Sequence, residues 1–154
     1  MVDEVIGQIR AAFAADERPD NAALLHPECR DDMDLQGLYL VGHWSEVPDD
    51  LVISEYAALA FLSAEGFRHF IPAYLIWVLR HPDANEAVVD STIWAFMPDL
   101  HGEDLAGFVR SKWAALDVEQ RAAITSFLRA MLDHHADARG ALNAWVREAQ
   151  PGDA

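Results

Sequence analysis

The sequence predicts an all-α fold, a compact bundle of six to eight helices around one central, proline-kinked helix at about residues 63–80. Two observations support this prediction. Apolar residues recur at helical spacing in most of the chain, and the segment boundaries coincide with capping residues and prolines. The β-prone pairs at 52–53 and 88–89 are too short to indicate a sheet. We therefore expect a single helical domain at residues 1–149 and a flexible C-terminal tail at 150–154.

The pattern of residues in the N-terminal third predicts one amphipathic helix followed by a segment without regular secondary structure. Asp3 and Glu4 favour a helix N-terminus, and the apolar face that follows consists of Val2, Val5, Ile6, Ile9 and Phe13. The stretch 16–34 is the longest polar one, and Asp31 or Asp32 at its end could cap a short helix running to about Leu40. Residues 42–48 predict a turn in which Trp44 is exposed, and Pro48 suits the first turn of the next helix.

The segment 63–80 predicts the central helix. Ser63 is its capping residue, and Leu62 and Phe67 occupy the two positions of a hydrophobic staple. The wide apolar stripe that follows indicates burial and includes Phe67, Phe70, Ile71, Tyr74, Leu75, Val78 and Leu79. Pro72 removes one helical hydrogen bond, so we expect the helix to kink or divide near residues 68–72 and to leave a free carbonyl.

The C-terminal half predicts four further helices. Asp90 could cap the first, which would run through Phe96. Asp117 and Gln120 have the spacing of a capping box before the third. The apolar face of the second helix consists of Leu105, Phe108, Val109, Trp113 and Leu116. The apolar face of the fourth helix consists of Ala138, Leu142, Trp145, Val146 and Ala149.

Charge narrows the classes of partner. The net charge is −15, and the residues before Tyr56 carry thirteen acids against three arginines. Direct binding to nucleic acid is disfavoured, because phosphate contacts need clustered basic residues and Lys112 is the only lysine. A basic protein partner is compatible with this charge, although high charge also serves solubility alone. The sequence shows neither a membrane-span pattern nor a signal-peptide pattern, and its single cysteine, Cys29, suits a reducing compartment, so we expect a cytoplasmic protein.

Three sequence runs together resemble a known family. They are residues 43–48 (HWSEVP), residues 58–75 (ALAFLSAEGFRHFIPAYL) and residues 119–128 (EQRAAITSFL). The central run is the most specific of the three, with an FRxFxPAYL-type pattern from Phe67 to Leu75. The chain resembles an uncharacterised bacterial family of short acidic proteins, a domain of unknown function. The resemblance implies a common fold unit and supplies no catalytic residues.

Two groups of side chains are candidates for a site. Glu65 and His69 lie four positions apart on the central helix, where a carboxylate can orient an imidazole and the neighbouring Arg68 can bind an anion. An ordinary surface ion pair, with Arg68 bridging to another element, is the favoured explanation of these three residues, because no nucleophile motif accompanies them. Cys29 and the nearby His26 are possible zinc donors, but a site needs three or four ligands, so we predict no metal and no cofactor.

These observations leave two functions open. The favoured one is a non-catalytic, soluble interaction module, an acidic adaptor or immunity-type protein that binds a basic partner through Asp31, Asp32 and Asp34. The alternative is a small-molecule-binding domain or small enzyme with a pocket at the Pro72 break, where Tyr74 would join Glu65, Arg68 and His69. No motif for nucleophilic catalysis is present, which favours the first, and the sequence does not indicate an oligomeric state.

Overall fold

The computed structural model describes residues 1–148, apart from the side chains of His101 and Asp104. These residues form an all-α fold of seven α-helices joined by turns, several of them 3-10 helical. The helices are α1 (Val2–Phe13), α2 (Asp49–Ser54), α3 (Ala64–Arg80), α4 (Ala87–Trp94), α5 (Glu103–Ser111), α6 (Val118–Ala130) and α7 (Ala138–Glu148). The predicted tail at 150–154 and the apolar position Ala149 lie outside the described residues.

Helix α3 is the centre of the fold, as predicted. Twelve of its residues are buried, and the Ser63 hydroxyl caps its first turn by accepting from the Gly66 N–H at 3.0 Å. The same hydroxyl donates to the Ala23 carbonyl at 2.6 Å, which ties the helix start to the preceding loop. The helix continues through Pro72 and is not divided there. The Pro72 ring is buried within the apolar stripe, and this burial offsets part of the cost of the hydrogen bond that the ring removes.

The other helices surround α3. Helix α1 packs on α3 and α6 through Val5, Ile6, Ile9 and Phe13, all of them predicted for this face. Helix α6 begins with the predicted capping box, in which Asp117 and Gln120 each accept a hydrogen bond from the other's backbone N–H. Helix α7 packs against α6 and α4. No helix within residues 1–148 has the length and apolar character needed to cross a membrane.

Two of the predicted helix starts are wrong. The helix expected from Asp31 or Asp32 to Leu40 is instead two 3-10 turns, Met33–Leu35 and Leu38–Leu40. Leu35 in the first turn and Leu38 in the second are both fully buried, so each short turn is held by core packing.

Asp90 does not cap α4, which begins one turn earlier, at Ala87. Val88 and Val89 are buried in the core, so packing extends the helix before the capping residue. The Asp90 carboxylate instead binds His135 Nε2 at 2.7 Å.

Candidate functional site

The predicted cluster of Glu65, Arg68 and His69 does not form. Glu65 is exposed, while Arg68 and His69 both bind Asp16, the residue three positions after α1. Arg68 Nε lies 2.8 Å from Asp16 Oδ1, and His69 Nδ1 lies 3.3 Å from Asp16 Oδ2. The carboxylate that orients the imidazole is therefore 53 positions away in the chain, not four.

The Asp16–His69 pair is a structural contact. His69 is fully buried, and its Nε2 accepts the Trp44 backbone N–H at 3.1 Å. The ring proton is therefore on Nδ1, which donates to Asp16. A general base needs a nitrogen that can reach a substrate, and both nitrogens of this ring already have protein partners. We assign His69 the role of joining three segments: the end of α1, the Trp44 turn and α3.

Trp44, which the sequence predicted to be exposed, is buried with 6% of its surface accessible. Its indole Nε1 donates to the Phe13 carbonyl at 3.2 Å, at the end of α1. The His43 side chain caps the turn by accepting the Ser45 N–H at 3.1 Å. This turn and the His69 contact direct the indole toward the core, which the local sequence does not reveal.

The residues predicted to line a pocket at Pro72 are not arranged around one. Tyr74 is fully buried, and its hydroxyl donates to the Glu55 carbonyl at 2.8 Å rather than to a carbonyl freed by Pro72. Burial raises the pKa of the Tyr74 phenol well above its usual range. A cavity of about 110 Å³ lies beside Ala73 and Trp77, but Glu65, Arg68, His69 and Tyr74 do not line it.

The acidic residues proposed for a basic partner lie in or just before the first of the two 3-10 turns, Met33–Leu35. Asp31 is exposed and its Oδ1 accepts the Met33 N–H at 2.8 Å, while Asp32 Oδ2 accepts the Tyr39 hydroxyl at 2.9 Å. Asp34 is half-buried. Within residues 1–148 none of these three carboxylates lies within ion-pair distance of a basic side chain.

The possible zinc donors do not converge. His26 Nδ1 accepts the Glu28 N–H at 3.1 Å, and its Nε2 lies 3.0 Å from Ser111 Oγ, so both ring nitrogens are engaged. Burial lowers the pKa of His26 and raises that of the half-buried Cys29 thiol. Among residues 1–148, no three His, Cys, Asp or Glu side chains are placed to hold a metal ion.

An apolar cavity of about 280 Å³ lies between α4, α5 and the 3-10 turn that precedes α3. Leu59, Phe108 and Val109 contribute to its walls. Tyr56 and Trp94 also line it and are partly exposed, at 43% and 36%. Trp94 rather than Trp44 is therefore the exposed tryptophan of the two.

Lys112, just after α5, lines the same cavity. It is only 5% exposed, its Nζ donates to the Ala60 carbonyl at 2.6 Å, and the ammonium lies 4.2 Å from the centre of the Phe108 ring. Burial lowers the pKa of Lys112 to about 8, partly opposed by the charge of Cys29. In the sequence Lys112 stands out only as the single lysine, which argues against nucleic-acid binding. Its position between Phe108 and Trp113, on a predicted apolar face, was the available signal of burial.

Residues 1–148 form an all-α fold that includes an apolar recess with a buried lysine in its wall. The chain belongs to a family of unknown function, DUF6714, whose sequence model matches residues 1–149. No curated protein and no solved structure matches the chain.

Proposed function

We propose that this protein is a small-molecule-binding domain that takes a small, mainly apolar ligand into the cavity between α4 and α5. One observation carries the proposal, an apolar recess of about 280 Å³ with partly exposed aromatic side chains in its lining. An engineered apolar cavity of about 150 Å³ binds benzene. The larger volume of this cavity suits a fused bicyclic ring or a chain of about eight carbons. This volume is at the small end of the range for natural ligand pockets.

The expected affinity is modest. Each methylene group moved from water into an apolar site contributes about 0.8 kcal/mol, so a chain of eight carbons contributes about 6 kcal/mol. The loss of translational and rotational freedom on binding offsets part of this. We expect dissociation constants in the submillimolar range for simple probes that lack polar complementarity.

Titration calorimetry with octan-1-ol tests the proposal. Ser91 lines the cavity, and its hydroxyl bonds only to the Ala87 carbonyl of its own helix, at 2.9 Å. Ser91→Leu should fill the recess and weaken octanol binding at least about tenfold, because the added side chain takes the volume of the probe. Ser126→Leu is the matched control, since the Ser126 hydroxyl makes the same type of bond to Ala122 on α6.

The control variant should bind octanol like the wild type. Intrinsic tryptophan fluorescence, to which Trp94 contributes from the cavity lining, should show the same saturation. Indole serves as a second probe of different shape. If neither octanol nor indole binds saturably to the wild type, or if Ser91→Leu binds them unchanged, the protein is not a small-molecule-binding domain of this kind.

A second candidate function is an acidic interaction module that binds a basic protein. The specific observation is the count of thirteen acids against three arginines before Tyr56, combined with carboxylates at the first 3-10 turn that form no ion pair within the described residues. Such a surface attracts a basic partner at long range, and salt weakens the attraction. This candidate needs no cavity, so it can be tested separately.

Replacing Asp31, Asp32 and Asp34 together by asparagine should reduce the retention of basic proteins from a lysate. Asparagine keeps the acceptor oxygens that bind Met33 and Tyr39, so the turns should persist. The control removes three exposed acids elsewhere, Glu103, Glu119 and Asp133, as amides. A basic protein that the control retains and the triple variant loses would support the module, whereas equal retention by all three proteins would exclude it.

A further inference from the structure

Lys112 is unusual because its charge is buried at an apolar cavity. Moving an ammonium group away from water is unfavourable unless other groups replace its hydration. Two groups do so here, the Ala60 carbonyl at 2.6 Å and the face of the Phe108 ring at 4.2 Å. These contacts keep the cation at the wall of the recess, although burial lowers the pKa of Lys112.

The ammonium retains capacity for a further partner. It has three N–H donors, and within the described residues the Ala60 carbonyl is its one hydrogen-bond acceptor. The aromatic face interacts with the positive charge but does not replace a strong acceptor. A ligand in the cavity is therefore in a position to supply oxygen acceptors to Lys112.

Building on the proposed ligand-binding function, we infer that the ligand is a monocarboxylic acid, with its hydrocarbon part in the cavity and its carboxylate on the Lys112 ammonium. A carboxylate supplies two acceptor oxygens and one negative charge, which match the donors and the single charge of one lysine. The low polarity of the site strengthens this attraction relative to water.

Other head groups fit less well. A phosphate ester carries a charge of about −1.5 to −2 at neutral pH, which one lysine does not balance. The described part of the lining contains no arginine and no second lysine. An amine would place a second cation beside Lys112, and an alcohol would leave the ammonium without a counter-charge. The matching of charge and donors thus selects the carboxylic acid.

Three probes of equal chain length separate this inference from the proposed function: octanoate, octan-1-ol and octylamine. In titration calorimetry near pH 7 we expect the wild type to bind octanoate at least about tenfold more tightly than octanol, because a hydrogen bond between two charged groups is stronger than one to a neutral hydroxyl. Octylamine should bind more weakly than octanol, because it places a second cation beside Lys112. If octanol binds but octanoate binds no better, the carboxylate inference is wrong and the proposed function stands. If none of the probes binds, both are wrong.

Lys112→Gln provides the matched variant, because glutamine keeps an N–H donor for the Ala60 carbonyl and removes the charge. Its preference for octanoate over octanol, taken as the ratio of the two dissociation constants measured on this variant, should fall to less than about twofold. An unchanged preference for octanoate in this variant would contradict the role of Lys112. The three-probe comparison in the wild type decides the inference independently of whether the variant folds.

Discussion

Replacing Lys112 by methionine should change how the stability of the protein depends on pH. An unfolded lysine loses its proton near pH 10.4, whereas burial lowers the pKa of Lys112 to about 8. Between these values the unfolded chain binds more protons, so the free energy of unfolding rises with pH, by at most about 1.4 kcal/mol per pH unit. Below about pH 8 both states are protonated, and the full cost of burial remains. The whole interval corresponds to about 3 kcal/mol, of which about 2 kcal/mol falls between pH 7 and 9.5.

Urea unfolding at pH 7 and at pH 9.5 measures this effect. Both proteins should carry Cys29→Ser, because the Cys29 thiol titrates in the same range, with a pKa raised by burial. Tyr39 and Tyr74 are present in both, and their contributions cancel. We expect the stability of the wild type relative to Lys112→Met to increase by about 2 kcal/mol from the lower to the higher pH. A difference that stays constant within about 0.5 kcal/mol would show that Lys112 titrates normally and is not buried as a cation.

Two further predictions concern the core and the Asp16 contacts. Phe70→Ala should cost about 3–5 kcal/mol in urea unfolding, the usual range for a fully buried phenylalanine; a loss below about 1 kcal/mol would place Phe70 outside the core. Asp16→Asn should cost about 2 kcal/mol, because it removes the charge partner of Arg68 and the carboxylate that His69 donates to. Asp16 is 5% exposed, so this loss should persist in high salt; an effect that salt abolishes would mean that the pair is a surface ion pair.

Local signals in the sequence account for the helices that were predicted correctly. The Ser63 cap, the capping box of Asp117 and Gln120 and the apolar face of α1 each depend on residues within about one to three helical turns. The helix starts at Asp90 and near Asp31 were wrong because core packing of neighbouring apolar residues moved the boundary or tightened the turn. Propensity is a weak determinant wherever burial competes with it.

The candidate site could not be predicted to the same extent, because its contacts join distant parts of the chain. Asp16 and His69 are 53 positions apart, and Lys112 and Ala60 are 52 apart. Sequence spacing showed only the pairing of Glu65 with His69 on one helix, which the structure does not form. A cavity depends on how helix faces fit together, and the pattern of apolar residues indicates which faces are buried but not where the packing leaves space.

The most direct test of the account is the ¹⁵N NMR signal of the Lys112 ammonium, observed during a pH titration with and without saturating octanoate. Lys112 is the only lysine of the chain, so its Nζ resonance is unique. Without ligand we expect the Lys112 Nζ signal to titrate with a midpoint at about pH 8. With octanoate bound, the midpoint should move toward the ordinary lysine value near 10.4, because the carboxylate stabilises the charged form. A midpoint near 10.4 in the free protein that octanoate leaves unchanged would contradict the account.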